Sequence, residues 1–172
     1  MDSVDIQAEL RRVQDDFRQL VARATPPDLR RRSVGTRWSN RQLLWHMVFG
    51  YLIVRNLMPL VHLLGRLGLS RRFAATLNAL HRPFHLINYA GSAGGGLLLP
   101  PPRMAAIMDG TINALSRRLA AEPPASLALT MHFPTRWDPY FRDTMTVLDV
   151  YHYGTEHYDH HHRQLTLTPP RN

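Results

Sequence analysis

Between Asp5 and Ala24 the apolar residues Ile6, Leu10, Val13, Phe17, Leu20 and Val21 recur at three- and four-residue steps among arginine, aspartate and glutamine, which predicts an amphipathic helix. Pro26-Pro27 stops it, and the arginine-rich connector to Thr36 has no apolar period. A second helix starts at Ser39, whose side chain can cap it with Gln42 three residues on, and the apolar run from Leu43-Leu44 carries it to the neighbourhood of Leu64, with Pro59 a point of kinking or breakage. Residues 69–89 read as one or two shorter helices, ended or kinked near Pro83. The glycine cluster Gly91-Ser92-Ala93-Gly94-Gly95-Gly96, then three leucines and Pro100-Pro101-Pro102, predicts a long irregular connection. No Gly-Lys-Ser/Thr follows the glycines, so a phosphate-binding loop is excluded. A third long helix covers Arg103 to Ala121, with Met104, Ile107, Met108, Ile112, Leu115 and Leu119 on one face, and Glu122-Pro123-Pro124 ends it. Residues 127–141, rich in aromatics and broken by prolines, predict an ordered loop. The fourth long helix runs from Asp143 to Gln164, and residues 166–172 predict a loose C-terminal tail.

Four long helices without convincing strand pairs predict an all-α four-helix bundle, one domain over residues 1–172, with residues 58–102 supplying an insertion between the second and third helices. A chain of 172 residues, 44% hydrophobic, can bury one core. The formal charge is +8, yet all 21 basic residues are arginine, which points to biased coding composition. They are scattered as Arg11-Arg12, Arg30-Arg31-Arg32, Arg71-Arg72 and Arg117-Arg118 rather than set in one stripe with aromatics, so no nucleic-acid partner is expected. Cysteine is absent, so disulfides and thiolate metal sites are excluded and any metal must be held by nitrogen and oxygen. The acidic Met1-Asp-Ser-Val-Asp5 start does not read as a secretory signal, and the longest clean apolar run, Met47–Val54, is far short of a membrane span. The expected location is the cytoplasm.

Ten histidines are present, and five of them, His152, His157, His160, His161 and His162, fall in the last helix. Around that helix, positions 153, 157, 160, 161 and 164 share one face, while His152 and His162 point elsewhere. His157 and His161, at i, i+4, can grip one ion. His157 with His160, at i, i+3, is also allowed. His46 stands on the second helix, and bundle cores are where facing helices build metal sites from inward side chains, so a three-histidine site of His46, His157 and His161 is the leading arrangement. Three nitrogen ligands leave a position open for water or substrate.

The pattern Trp38-Ser39, Arg41-Gln42-Leu43-Leu44-x-His46, followed about a hundred residues later by His157-x-x-x-His161-x-x-Gln164-Leu165, resembles the DinB/YfiT-like superfamily of four-helix-bundle metalloenzymes across nearly the whole chain. The resemblance implies a down-up-up-down bundle in which His46, His157 and His161 bind a divalent ion, commonly zinc or nickel. It further implies a small-molecule substrate and an activity of the thiol S-transferase or hydrolase type, the former using a low-molecular-weight thiol such as mycothiol. Homodimers are frequent among similar proteins. Competing expectations are a non-catalytic metal- or small-molecule-binding bundle, and a basic peripheral adaptor using Arg30–Arg32 and the Leu97–Leu99 loop.

No catalytic residue is assigned from sequence. Three residues are candidates for cofactor or substrate binding: Gln164, a turn beyond His161, to orient a ligand or a coordinated water, or else simply a polar residue at the helix end; Arg136, to clamp a substrate carboxylate; and Tyr153, a turn before His157, whose hydroxyl reaches the pocket or packs on the facing helix. Trp137 reads as loop packing or pocket wall, Trp38 and Trp45 as core anchors. Glu156 points about 100° away from its neighbour His157, so a role as base is not expected.

Overall fold

The computed structural model describes residues 2–168, the Phe84 side chain excepted. Four long helices, α1 (Ser3–Arg23), α3 (Asn40–Leu67), α6 (Pro101–Ala121) and α8 (Val147–His162), form the bundle; α2 (Pro26–Arg30), α4 (Ser70–Ala79), α5 (His81–Leu98) and α7 (Pro124–Leu127) link them. Most of each apolar stripe is buried: Ile6, Leu10, Val13, Phe17 and Leu20 of α1, and Met104, Met108, Ile112, Leu115 and Leu119 of α6, expose 2% or less, while Val21 and Ile107 at the stripe edges are partly buried.

Side-chain pairs along the helices give their directions. Gln7 reaches the Ser116 carbonyl and Arg18 reaches Asp109, so α1 and α6 are antiparallel. Glu9 meets His152 and Arg12 meets Asp159, so α1 and α8 are parallel. Tyr51 meets Thr155 while His46 meets His161, which makes α3 and α8 antiparallel. The order is therefore down-up-up-down. Parallel neighbours α3 and α6 need a return path between them, and α4 with α5 supplies it.

That return path departs from the sequence expectation. The glycine cluster is helical, not irregular, and belongs to α5, which also runs through Pro83 in its first turn, where the missing N–H is tolerated. The small residues serve close packing on α3: a Cβ on Gly95 would overlap the Trp45 indole, and one on Gly96 would come within 2.6 Å of Gln42 Cα. Trp45 Nε1 donates to the Gly91 carbonyl across the same seam. Pro101 and Pro102 likewise open α6 instead of prolonging a loop, because the first helical N–H groups have no intrahelical acceptor.

Other boundaries shift for local reasons. Helix α3 keeps the Ser39–Gln42 capping box and continues unbroken past Pro59, on its exposed side, to the left-handed Gly68. Although α3 is long and apolar enough to cross a membrane, half of its most apolar window is buried inside the protein. Residues 127–141 contain β1 (Thr130–His132), which pairs antiparallel with β2 (Thr144–Thr146) and buries Met131 against Met145. The fourth long helix consequently starts at Val147, not Asp143, behind a Thr146–Asp149 capping box, and ends at His162. The tail is not loose over residues 166–168. Asn40 Nδ2 donates to Thr166 Oγ1, and the Thr168 hydroxyl donates to Asp28. The rest of the predicted tail, 169–172, lies outside the described residues.

Replacing Gly96 by alanine is expected to cost about 2 kcal/mol through overpacking and to lower the melting temperature by about 4–8 °C. Gly94→Ala, whose Cβ meets nothing within 4 Å, is expected to raise it; thermal unfolding of both variants checks the pair. Asp28 accepts from the Thr25 and Thr168 hydroxyls, which hold its carboxyl well below the usual range. A depressed native pKa contributes stability that is complete above the unfolded value of about 3.9 and is lost as the pH falls below it. Urea unfolding from neutral pH into acid is therefore expected to show a shallower acid loss in Asp28→Asn than in the natural protein.

Candidate metal centre

Helices α3 and α8 approach closely where Gly50 faces His157: a Cβ at Gly50 would lie 2.8 Å from His157 Cδ2. The missing side chain leaves room for the ring, and His46, one turn earlier on α3, comes alongside. His161, one turn further on α8, completes the group. The ring centroids are 5.0 Å apart for His46 and His157, 4.6 Å for His46 and His161, and 4.6 Å for His157 and His161. One ligand nitrogen from each of the three lies within 4.8 Å of the others. His46 and His157 are buried, while His161 sits nearer the rim.

Each ring is oriented by a bond from its outer nitrogen. His157 Nδ1 is 3.0 Å from Asp138 Oδ2, a carboxylate that can only accept, so Nδ1 carries the proton and Nε2 presents a lone pair. That Nε2 is buried with no hydrogen-bond partner. His161 Nδ1 donates to Gln164 Oε1 at 2.7 Å. His46 Nδ1 lies 2.8 Å from Ser92 Oγ, and its Nε2 lies 3.1 Å from His161 Nε2. With the lone pair of His161 on Nε2, His46 donates to it and accepts from Ser92. A serine hydroxyl can also accept, so Ser92 supports the other His46 tautomer equally well. An orphaned buried nitrogen facing two more, each with its outer nitrogen held, is the donor set that fits a cation.

The electrostatics agree. Burial, reinforced by the neighbouring histidines, pushes His46 well below the ordinary imidazole value and His161 down to about 3, so both rings are neutral and available as ligands at pH 7. Burial alone would raise the Asp138 carboxyl, but hydrogen bonds from His157, the Tyr140 backbone and Tyr153 outweigh it and keep the carboxyl ionised below its usual pKa. Tyr153 is held neutral, chiefly by burial and then by Asp138.

Gln164 orients His161, as one of its two expected roles requires. Tyr153 reaches the centre through Asp138, to which its hydroxyl donates at 2.9 Å. His160, the alternative partner of His157, instead meets Tyr140 OH and Gln164 Nε2. His152 and His162 turn to Glu9 and Asp16. Arg136 does not join the group: its side chain is exposed and only its backbone N–H is fixed, by Asn78. Trp137 both packs, donating to the Leu77 carbonyl at 2.7 Å, and lines the adjoining cavity. Trp38 lies tilted against His46, ring centroids 4.4 Å apart, rather than anchoring the bundle core. Two supporting residues escaped the sequence reading. Asp138 stood beside Arg136 and Trp137 without being singled out, and Ser92 was hidden in the glycine cluster; the signal available for Ser92 was the run of small residues that lets α5 press on α3.

A family model described as the DinB superfamily matches residues 9–165. The chain belongs to the DinB superfamily. No curated protein and no solved structure matches the chain. The matched stretch holds His46, His157 and His161 together with Ser92, Asp138 and Gln164, so the DinB match contains the full cluster and its supports.

Asp138→Asn removes the carboxylate that fixes the His157 tautomer and is expected to weaken zinc binding by about 10–100-fold. Titration of metal-free protein with zinc in competition with a chromophoric chelator measures this; unchanged affinity would show that Asp138 has no part in the centre.

Proposed function

We propose that His46, His157 and His161 bind one divalent cation, zinc or nickel, and that this DinB-superfamily protein uses it to activate a thiol or a water toward a small molecule. The observation that carries the reading is the buried, unpartnered His157 Nε2, turned toward two further imidazoles whose outer nitrogens are already held. When bound, such an ion lowers the pKa of a coordinated water or thiol toward neutrality. The chain's own residues then have defined work. The three imidazoles supply the ligand nitrogens. Asp138 balances the charge through His157, Tyr153 holds Asp138, and Trp38 covers one side of His46. An apolar cavity beside His46 and His157 limits water.

The chain has no cysteine, so any thiol in the reaction is brought from outside; a low-molecular-weight thiol such as mycothiol is the co-substrate that the family resemblance suggests. A non-catalytic metal-binding role uses the same centre, and turnover separates the two. Metal analysis of untagged protein is expected to find His46→Ala, His157→Ala and His161→Ala each emptied of most metal with helicity intact, and His152→Ala and His162→Ala still loaded. Full occupancy in all of the first three contradicts the assignment. Thiol consumption with electrophiles, or ester hydrolysis, by the metal-loaded protein and its loss in the first three variants supports catalysis. Bound metal without either activity favours the binding role.

A further inference from the structure

Beside the centre lies a cavity of about 100 Å³ whose wall follows one face of α3. His46, Gly50, Ile53, Leu57, Leu60 and Leu64 recur at three- and four-residue steps along it. From His46 to Leu64 the helix rises about 27 Å. The cavity is therefore an elongated channel along α3, with His46 and His157 at one end.

The opposite wall comes from Phe73 and Leu77 of α4 and from the β1–β2 connection, including Phe133, Trp137 and Phe141. The return segment between the parallel helices therefore also closes the channel. No arginine or glutamate lines it, and its one carboxylate, Asp138, is committed to His157 and Tyr153. Away from the three histidines the polar lining among the described residues is limited to Asn88 and to His132, which meets Asp143 at 3.4 Å, and the rest of the wall is apolar. A cationic tail would enter without a counter-ion, which the cost of desolvation opposes.

We propose that this channel takes a straight aliphatic chain, so that the substrate is an acyl- or alkyl-chain molecule whose polar, reacting end lies at the three histidines. The proposal rests on the function proposed above for the same centre. The channel's apolar lining and its length along α3 suit a chain. The apolar side chains along α3 act as a ruler: Leu60 stands about 10 Å further along the helix from the histidines than Ile53.

The test is calorimetric titration of the full-length, zinc-loaded protein with straight-chain hydroxamates of increasing length. A parallel titration uses straight-chain alcohols on metal-free protein. Hydroxamate affinity is expected to rise about fourfold for each added methylene, the increment for burying one such group, and then to level off when the channel is full. Ile53→Trp is expected to end the rise at a shorter chain than Leu60→Trp, both variants keeping zinc content and helicity. Hydroxamates that bind through zinc with an affinity independent of chain length overturn the proposal and leave the metal centre standing. Alcohol affinity that rises with length, without any gain for hydroxamates from zinc, supports the channel and counts against the metal reading. A naphthyl hydroxamate binding as tightly as the longest chain, or a length series unchanged in both tryptophan variants, also overturns it.

Discussion

The structure depends on the way three imidazoles are held from behind. A histidine presents one nitrogen predictably only when the other is committed, and here Asp138 and Gln164 make that commitment for His157 and His161, while Ser92 holds the His46 ring in place in either tautomer. These supports come from three different places: the connection after β1, the return helix α5, and the turn that follows α8. The cluster is therefore a product of the whole fold, although its three imidazoles come from two helices.

The same constraint explains features that look unrelated. Gly50 is small because His157 must lie against the α3 backbone. Gly95 and Gly96 are small because α5 must come near enough to α3 for Ser92 to reach His46. The chain leaving α8 is tied to Val34 through the Gln164 carbonyl and to Asn40 through Thr166, which fixes the turn that carries Gln164 itself. Burial then does the electrostatic work, since rings kept away from water stay neutral, and neutral rings are the ones that can act as ligands.

Much of this was legible in the sequence. The apolar periods of α1, α3 and α6 and the capping box at Ser39 gave the bundle, and the i, i+4 pair with a distant His46 gave the histidine cluster. What could not be read was the packing of segments with no period of their own. A run of glycines breaks an isolated helix, yet here helical packing on α3 needs surfaces without side chains, so tertiary contact overrode propensity. Ser92 was lost with it. The short β1–β2 pair was missed because three residues per strand give no alternation to count, and the helix start moved with it. Arg136 was a reasonable anion clamp by residue type, but its loop turns it to solvent and turns Asp138 inward.

The coordination shell of the metal-loaded protein tests the central claim most directly. X-ray absorption at the zinc or nickel edge is expected to show three imidazole nitrogens at about 2.0–2.1 Å, falling to two in His157→Ala reloaded with excess metal. A shell without imidazole scattering, or one unchanged by that substitution, would contradict the account.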